Sequence, residues 1–353
     1  MIVDGTAVIL CDGLYASADG KTAHGLVRET GRYKVVAVID APTAGKDAGT
    51  VLDGKFRGIP IYESLSGISE KPDYCIVGIA THGGRLTDSL RKQLHEALIA
   101  GMHIVNGLHE YAIDDPVLVE AAKTSGVTIT DIRRSKPKSD LHFWTGEITK
   151  LGIPTIAVLG TDCALGKRTT SRFLLEACNR ADISTQLIFT GQTGWLQGAP
   201  CGFVLDSIPN DFVSGELEHA ILECAEQFSP ELILLEGQSS LRNPSGPCGA
   251  EFLLSGCARG VILQHAPGRT YFDGFEELGY RIPPIQEEIA LVRLYGSEVL
   301  GITLNGSGLN EAELIAFQQQ YEAELGLPVV LPLKEGVAGL IPAIQQFMQG
   351  NRN

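Results

Sequence analysis

The stretch GTDCALGKRTT gathers the residue types that hold a phosphate. A glycine turn lets main-chain N–H groups converge on an anion, the helix that follows adds the field of its N-terminus, and a lysine supplies a full charge. Gly160, Thr161, Asp162, Cys163, Ala164, Leu165, Gly166, Lys167, Arg168, Thr169 and Thr170 are therefore the candidate cofactor-binding residues. The spelling departs twice from the common G-x-x-x-x-G-K-[ST] pattern. Five residues rather than four separate Gly160 from Gly166, and Arg168 stands at the hydroxyl position. Moving a hydroxyl from position 168 to 169 turns it by about 100° around a helix, so no metal ligand is assigned. Read plainly, the same residues make a glycine turn that caps a strand beside an exposed lysine.

Residues that close the other apolar runs are the natural companions, because ligands of an open parallel sheet sit beyond the carboxyl ends of its strands. Five corners stand out. TGQTGWLQG offers glycines with Gln192 and Thr193, either to bring main chain close to a ligand or as a plain long turn. Asp206, after GFVL, reads first as a cap of the next segment and second as the holder of a metal-bound water. LILLEGQSSL places Glu236 and Gln238 at the end of a run too apolar for anything but a central strand. Glu236 is the leading carboxylate: it suits accepting a proton from an amine or holding magnesium, and its bland reading is a solvated strand-end acid. VILQHAPGR brings together His265 and Arg269, a pair able to move a proton and grip a carboxylate, although a lone histidine is more often structural. ITLNGSGLN supplies Asn305, read as part of an ordinary turn before a hydrogen-bonding role. Glu236, His265 and Arg269 are the catalytic candidates.

The elements that must position these residues follow from the hydrophobic rhythm. TAVILCDG, KVVAVID, DYCIVGIA, MHIVNG and VTITDIR alternate with helical patterns such as TDSLRKQLHEALIAG, which predicts a parallel sheet flanked by helices in a Rossmann-like domain. No G-x-G-x-x-G follows the first strand, and Asp40 at the end of KVVAVID reads as a turn former rather than a ribose-binding acid. DGKTAHG and ATHGGR carry one cation each, Lys21 and Arg85, which would face the second half's loop across a cleft. A basic, proline-interrupted stretch from 132 to 154 suits a connection, so the expected domains are 1–150, Rossmann-like with the linker, and 151–353. The second half alternates again through PTIAVLG, TQLIFT, GFVLD, ELILLEG, GVILQH, EVLGITLNG and PVVLPL, a P-loop NTPase-like α/β domain. Val213, Leu217, Ala220, Ile221 and Cys224 predict a helix with one face on that sheet, and Asn310 with Glu313 predicts a capped start of a late helix.

Bulk properties narrow the function class. A chain of 353 residues, 44% hydrophobic and 20% charged, suits two folded domains. A net charge of -14 disfavours nucleic acid and acidic membranes while allowing a local cationic pocket for an anionic small molecule. The eight cysteines show no C-x-x-C pair, and read mainly as reduced, buried thiols. With no basic segment ahead of its first apolar stretch and no run of bilayer length, the chain reads as cytoplasmic, without a membrane partner. Self-association into a homo-oligomer is left open.

The GTD…GK spelling resembles the longer loop of the dethiobiotin synthetase class of P-loop proteins, which also has five residues between its glycines. KTAHGLVR, NGLHE, GTDCALGKRTT, TGQTGWLQGAP, IPNDFVSGELE, EGQSSL and QHAPGR together resemble one bacterial and archaeal family, in order from about residue 7 to about residue 345. That family has a Rossmann-like first half and a P-loop second half, and some of its members are D-glutamate N-acetyltransferases that use acetyl-CoA. The resemblance implies acetyl transfer from acetyl-CoA, as a substrate held by its phosphates in the loop, to the amine of a small acidic amino acid. Such a reaction needs a base, for which Glu236 and His265 stand as alternatives, and cations for the acceptor's carboxylates, for which Arg269 and Arg85 do. Cys163 has no partner nearby in sequence to activate its thiol, so direct transfer is the simpler chemistry. The alternative is an ATP-dependent ligase or kinase, with Lys167 and Thr169 on ATP and magnesium and Glu236 completing the metal site. A nucleotide sensor without turnover is the third reading.

Overall fold

A computed structural model describes residues 4–81 and 83–350. The chain forms two compact units, one made of the residues up to Lys136 together with Gln192–Pro200, the other of Pro137–Gly191 together with the residues from Cys201 onward.

In the first unit, strands β1 (Gly5–Leu10), β2 (Tyr33–Ile39), β3 (Ile61–Tyr62), β4 (Tyr74–Val77), β5 (His103–Asn106) and β6 (Ile129–Asp131) form one sheet in the order 3-2-1-4-5-6. Every pair is parallel, and the order is that of a doubly wound nucleotide-binding fold. Asp40 behaves as a turn former: its buried carboxylate accepts the Tyr15 N–H and the Thr43 hydroxyl. Lys21 and Arg85 are exposed in this unit, while His82 of ATHGGR lies outside the described residues.

The segment TGQTGWLQG is not a turn. Gln192–Leu196 is a short helix buried in the first unit. Gln192 accepts a hydrogen bond from Arg133, and the Gln197 amide donates to the Gly25 and Glu29 carbonyls. Glycine-rich sequence has little helix propensity; burial and these long-range bonds hold the helix instead.

The second unit holds β7 (Thr155–Gly160), β8 (Thr185–Phe189), β9 (Cys201–Gly202), β10 (Leu232–Glu236), β11 (Gly260–His265), β12 (Glu298–Leu304) and β13 (Val329–Val330). They form a parallel sheet in the order 13-12-11-7-10-8-9, with β7 central and β10 between β7 and β8. Of the expected GFVLD strand only Gly202 pairs as β-sheet, together with Cys201 before it, and Asp206 lies exposed in a 3-10 turn.

The apolar runs of β7, β10 and β11 are buried along their whole length because both sheet faces are covered. Alternation sorts their side chains between two cores. Ile156, Val158, Leu232 and Leu234 meet Leu174 and Cys178 of the helix Lys167–Arg180 and Ile344 and Phe347 of the helix Ile341–Gly350. Ala157, Leu159, Ile233 and Leu235 meet Leu217, Ile221 and Cys224 of the helix Asn210–Phe228, the face read from sequence. Each aliphatic side chain so buried contributes roughly 1.5–3 kcal/mol, which lets the strand ends carry groups that cost stability.

The connection read at 132–154 is anchored from Pro137 onward to the second unit. The buried Glu216 accepts the His142 N–H, and the buried Glu218 accepts the Thr145 and Ile148 N–H groups. The late helix Glu311–Leu325 starts with the full capping box of Asn310 and Glu313. No helix among the described residues is long and apolar enough to cross a membrane.

Candidate functional site

β7 ends at Gly160, the chain turns through 161–166, and the helix Lys167–Arg180 begins. Two glycines make the turn possible. A Cβ on Gly160 would stand 3.1 Å from Lys167 Cδ and 3.2 Å from its Nζ, so glycine leaves the lysine its path. Gly166 has φ +99° and makes no side-chain cap bond, so the first N–H groups of the helix are left without a side-chain acceptor from its N-cap.

The loop and the first turns of its helix are fastened by a set of hydrogen bonds. The Thr161 N–H donates to the Gln264 carbonyl at 3.0 Å, and its hydroxyl shares a 2.9 Å bond with His265 Nδ1. Asn305 donates to the Leu165 carbonyl at 2.8 Å. Thr170 donates to Gln264 Oε1 at 2.6 Å, and Ser171 to the Lys167 carbonyl at 2.8 Å, so neither hydroxyl faces the loop's concave side unengaged.

The strongest latch is Asp162, which is fully buried. Its Oδ1 accepts from Asn243 at 3.0 Å, and its Oδ2 from Arg269 Nη1 at 2.8 Å and the Asp273 N–H at 2.9 Å. Arg269 Nη1 also donates to the Cys163 carbonyl. The arginine expected to clamp a substrate carboxylate thus holds the loop with this edge. Breaking a buried charge pair from one side leaves the other charge uncompensated, but Arg269 is 19% exposed, which moderates the cost. Asp162→Ala is expected to destabilise the second unit by about 2 kcal/mol. Trp144 donates to the Ser255 carbonyl in that unit, and Trp195 sits in the other. In a Trp195→Phe background the Trp144 emission therefore follows the relevant transition, and an unmoved midpoint would remove the latch.

Lys167 is buried, and its ammonium donates to the Asp162 and Ser239 carbonyls, both at 2.7 Å. Burial lowers its pKa, opposed by Cys163, Asp162, Cys248 and Glu236. Ser239 and Ala164 both hold positive φ, 41° and 51°, so the main chain is strained on either side of the lysine. Cys163 Sγ lies 3.4 Å from Ser239 Oγ and 3.5 Å from Asn243 Nδ2.

Glu236 is 4% exposed at the end of β10, next to β7. The Thr190 N–H donates to its Oε2 at 3.4 Å, and Gln238 donates to the Thr190 hydroxyl at 3.0 Å. Burial raises its pKa, partly offset by Arg168, the Thr190 bond, Lys167 and Arg172. Arg172, one helical turn beyond Arg168, carried no motif and was missed from sequence; the i, i+4 spacing was the available signal.

His265 closes β11. With Nδ1 tied to Thr161 and Nε2 3.4 Å from the Tyr321 hydroxyl, its ring is held, and burial pushes its pKa down to about 4. The unfolded chain takes up this proton from about pH 6.5 downward while the folded one resists until about pH 4, so stability is full above that window and lost as pH falls through it. His265→Gln should flatten this limb in thermal unfolding between pH 7 and 4. An identical limb would assign the acid loss to other groups.

A doubly wound domain followed by a parallel sheet whose central strand feeds a glycine turn, a buried lysine and a helix defines a two-domain α/β protein with a P-loop. The chain belongs to the DUF1611 family. The family's P-loop domain, described as a domain of unknown function, matches residues 142–341, and its Rossmann-like domain matches residues 41–135. A D-glutamate N-acetyltransferase from Tritonibacter scottomollicae is 30% identical over 276 residues, 76% of this chain and 80% of that protein. One from a Pseudoalteromonas species is 29% identical over 271 residues, 75% and 79% of the two chains. The crystal structure of a DUF1611 family protein from Anabaena variabilis ATCC 29413 superposes with a TM-score of 0.88 at 29% identity, covering 97% of this chain and 99% of that one.

Proposed function

We propose that this chain is an N-acetyltransferase that moves acetyl from acetyl-CoA to the amine of an acidic amino acid, with D-glutamate the first acceptor to try. The relatives named D-glutamate N-acetyltransferase support the reaction, since the alignments span three-quarters of this chain. The observation that carries the reading is the pairing at adjacent strand ends of a cationic glycine loop with a buried carboxyl of raised proton affinity.

Coenzyme A brings a pyrophosphate, and a loop that only anchors it needs N–H groups and a lysine, not a metal-held hydroxyl. Arg168 at the hydroxyl position fits that use, as do Thr170 and Ser171, whose hydroxyls are bound to Gln264 and to the Lys167 carbonyl. Glu236 then takes the proton of the acceptor amine, while Arg168 and Arg172, near enough to pull its pKa down, give the positive field that an acceptor's carboxylates require. His265, neutral above about pH 4 and tied to Thr161, is the weaker base.

The test is release of coenzyme A thiol on mixing the protein with acetyl-CoA and D-glutamate, L-glutamate or D-aspartate, beside a parallel assay for ADP from ATP and magnesium. Thiol release that depends on the amino acid is expected. ADP formation without thiol release would instead favour the ligase or kinase reading.

A further inference from the structure

The second unit contains a cavity of about 640 Å³ lined in part by His265, Arg269, Arg281 and Tyr321. Two of these residues are loop fasteners: His265 holds the Thr161 hydroxyl, and Arg269 holds Asp162 and the Cys163 carbonyl. The cavity therefore opens directly beside the loop, on the β11 side, whereas Glu236 lies on the β10 side of β7.

We propose that this cavity takes the 3′-phosphoadenosine end of coenzyme A, with Arg281 as the residue that selects for the 3′-phosphate. The proposal rests on the loop's role as the pyrophosphate anchor. The ribose ring is joined to that pyrophosphate through only its 5′-methylene and ester oxygen, so the adenosine must lie in a space adjoining the loop, and this cavity adjoins it. Its walls suit a nucleoside: Ile282, Pro283 and the Tyr321 ring supply apolar surface, and the Gln286 and Gln320 amides with the Glu324 carboxylate supply donors and acceptors for a base edge.

The charges favour one phosphate over a string of them. Arg281 makes no ion pair among the described residues and lies with its guanidinium 5.2 Å from the Tyr271 ring centre, whereas Arg269 already spends Nη1 on Asp162. Glu287 on the wall pairs with Arg242 at 2.7 Å, an arginine that also holds the buried Glu288 at 2.6 Å. Glu324 accepts from the amides of Gln286 and Gln320 at 3.3 and 2.8 Å, one on each oxygen, and the second lone pair of each oxygen is left to accept from an exocyclic amine. A single dianionic phosphate beside Arg281 fits this balance.

Calorimetric titration with coenzyme A, 3′-dephospho-coenzyme A and adenosine 3′,5′-bisphosphate tests the proposal without any turnover. The wild-type protein should bind coenzyme A roughly 10- to 100-fold more tightly than the dephospho form, the worth of one charge-assisted contact. Arg281→Ala should bind both forms alike while keeping the wild-type affinity for dephospho-coenzyme A; Arg281 is exposed, so folding is spared. Tyr321→Phe is expected to leave the 3′-phosphate preference intact. Equal wild-type affinity for the two forms, or a preference that survives in Arg281→Ala, would overturn the proposal. Acetyl transfer without that preference removes the pocket but not the reaction. Arg281-dependent binding without acetyl transfer keeps the pocket and removes the reaction.

Discussion

Glu236→Gln is expected to lower the turnover of acetyl transfer by about two to four orders of magnitude, the span that a positioned general base contributes. The substitution keeps shape and burial and removes only the ability to take a proton. The acetyl-CoA KM should stay near wild type, because Lys167 and the loop remain. The acid limb of the kcat profile should also vanish, and it should sit above the ordinary range of a glutamate, since burial raises the Glu236 pKa. Stability gives an independent reading. A carboxyl whose folded pKa is raised binds its proton more tightly in the folded state, so it favours folding at low pH and loses that contribution as pH rises through the folded value. Glutamine carries no such penalty. The variant should therefore unfold no earlier than wild type at pH 7, and its advantage should fade as pH falls from the raised folded value toward 4.5, the ordinary value for the group, and be gone below it. A turnover and pH profile identical to wild type would exclude Glu236 as the base. A loss confined to the acetyl-CoA KM would move it into the anchor.

What sequence could and could not show divides along the distance over which each feature is determined. β7, β10 and β11 were legible because a strand covered on both faces must be a continuous apolar run. The two-residue strands β3, β9 and β13 are edge or near-edge pairings too short to impose a period, and of the β9 region only Cys201–Gly202 pairs. The helix Gln192–Leu196 was unreadable because its stabilising partners Arg133, Gly25 and Glu29 are remote in sequence. At the site, the glycine loop and the strand-end position of Glu236 came from local pattern alone. The role of Asp162 did not, since Asn243, Arg269 and Asp273 lie 81, 107 and 111 residues away. Asn305, read as part of a turn, proved to bind the Leu165 carbonyl from 140 residues away. Spacing identifies which residues stand at strand ends; it does not say which of them spend their hydrogen bonds on one another.

Lys167→Met should weaken acetyl-CoA binding by two to three orders of magnitude, about the cost of truncating one side of a desolvated, hydrogen-bonded charge pair. The same substitution should leave stability nearly untouched, and that contrast is the informative part. Burial disfavours the ammonium, so the folded protein holds this proton less tightly than the unfolded chain does. Below the folded pKa the charge opposes folding, and the opposition fades as pH climbs to 10.5, the ordinary lysine value. Methionine has a similar length, carries no charge and follows the same path past Gly160, at the cost of the bonds to the Asp162 and Ser239 carbonyls. Those two effects oppose each other near neutrality, and the loss of the bonds alone remains at high pH. The variant should therefore be closest to, or above, wild-type stability at pH 7 and fall behind it as pH approaches 10.5. Unchanged coenzyme affinity in Lys167→Met, measured by titration with acetyl-CoA, would show that the loop anchors nothing through this lysine. The base assigned at Glu236 would then need a different neighbour to bring the thioester within its reach.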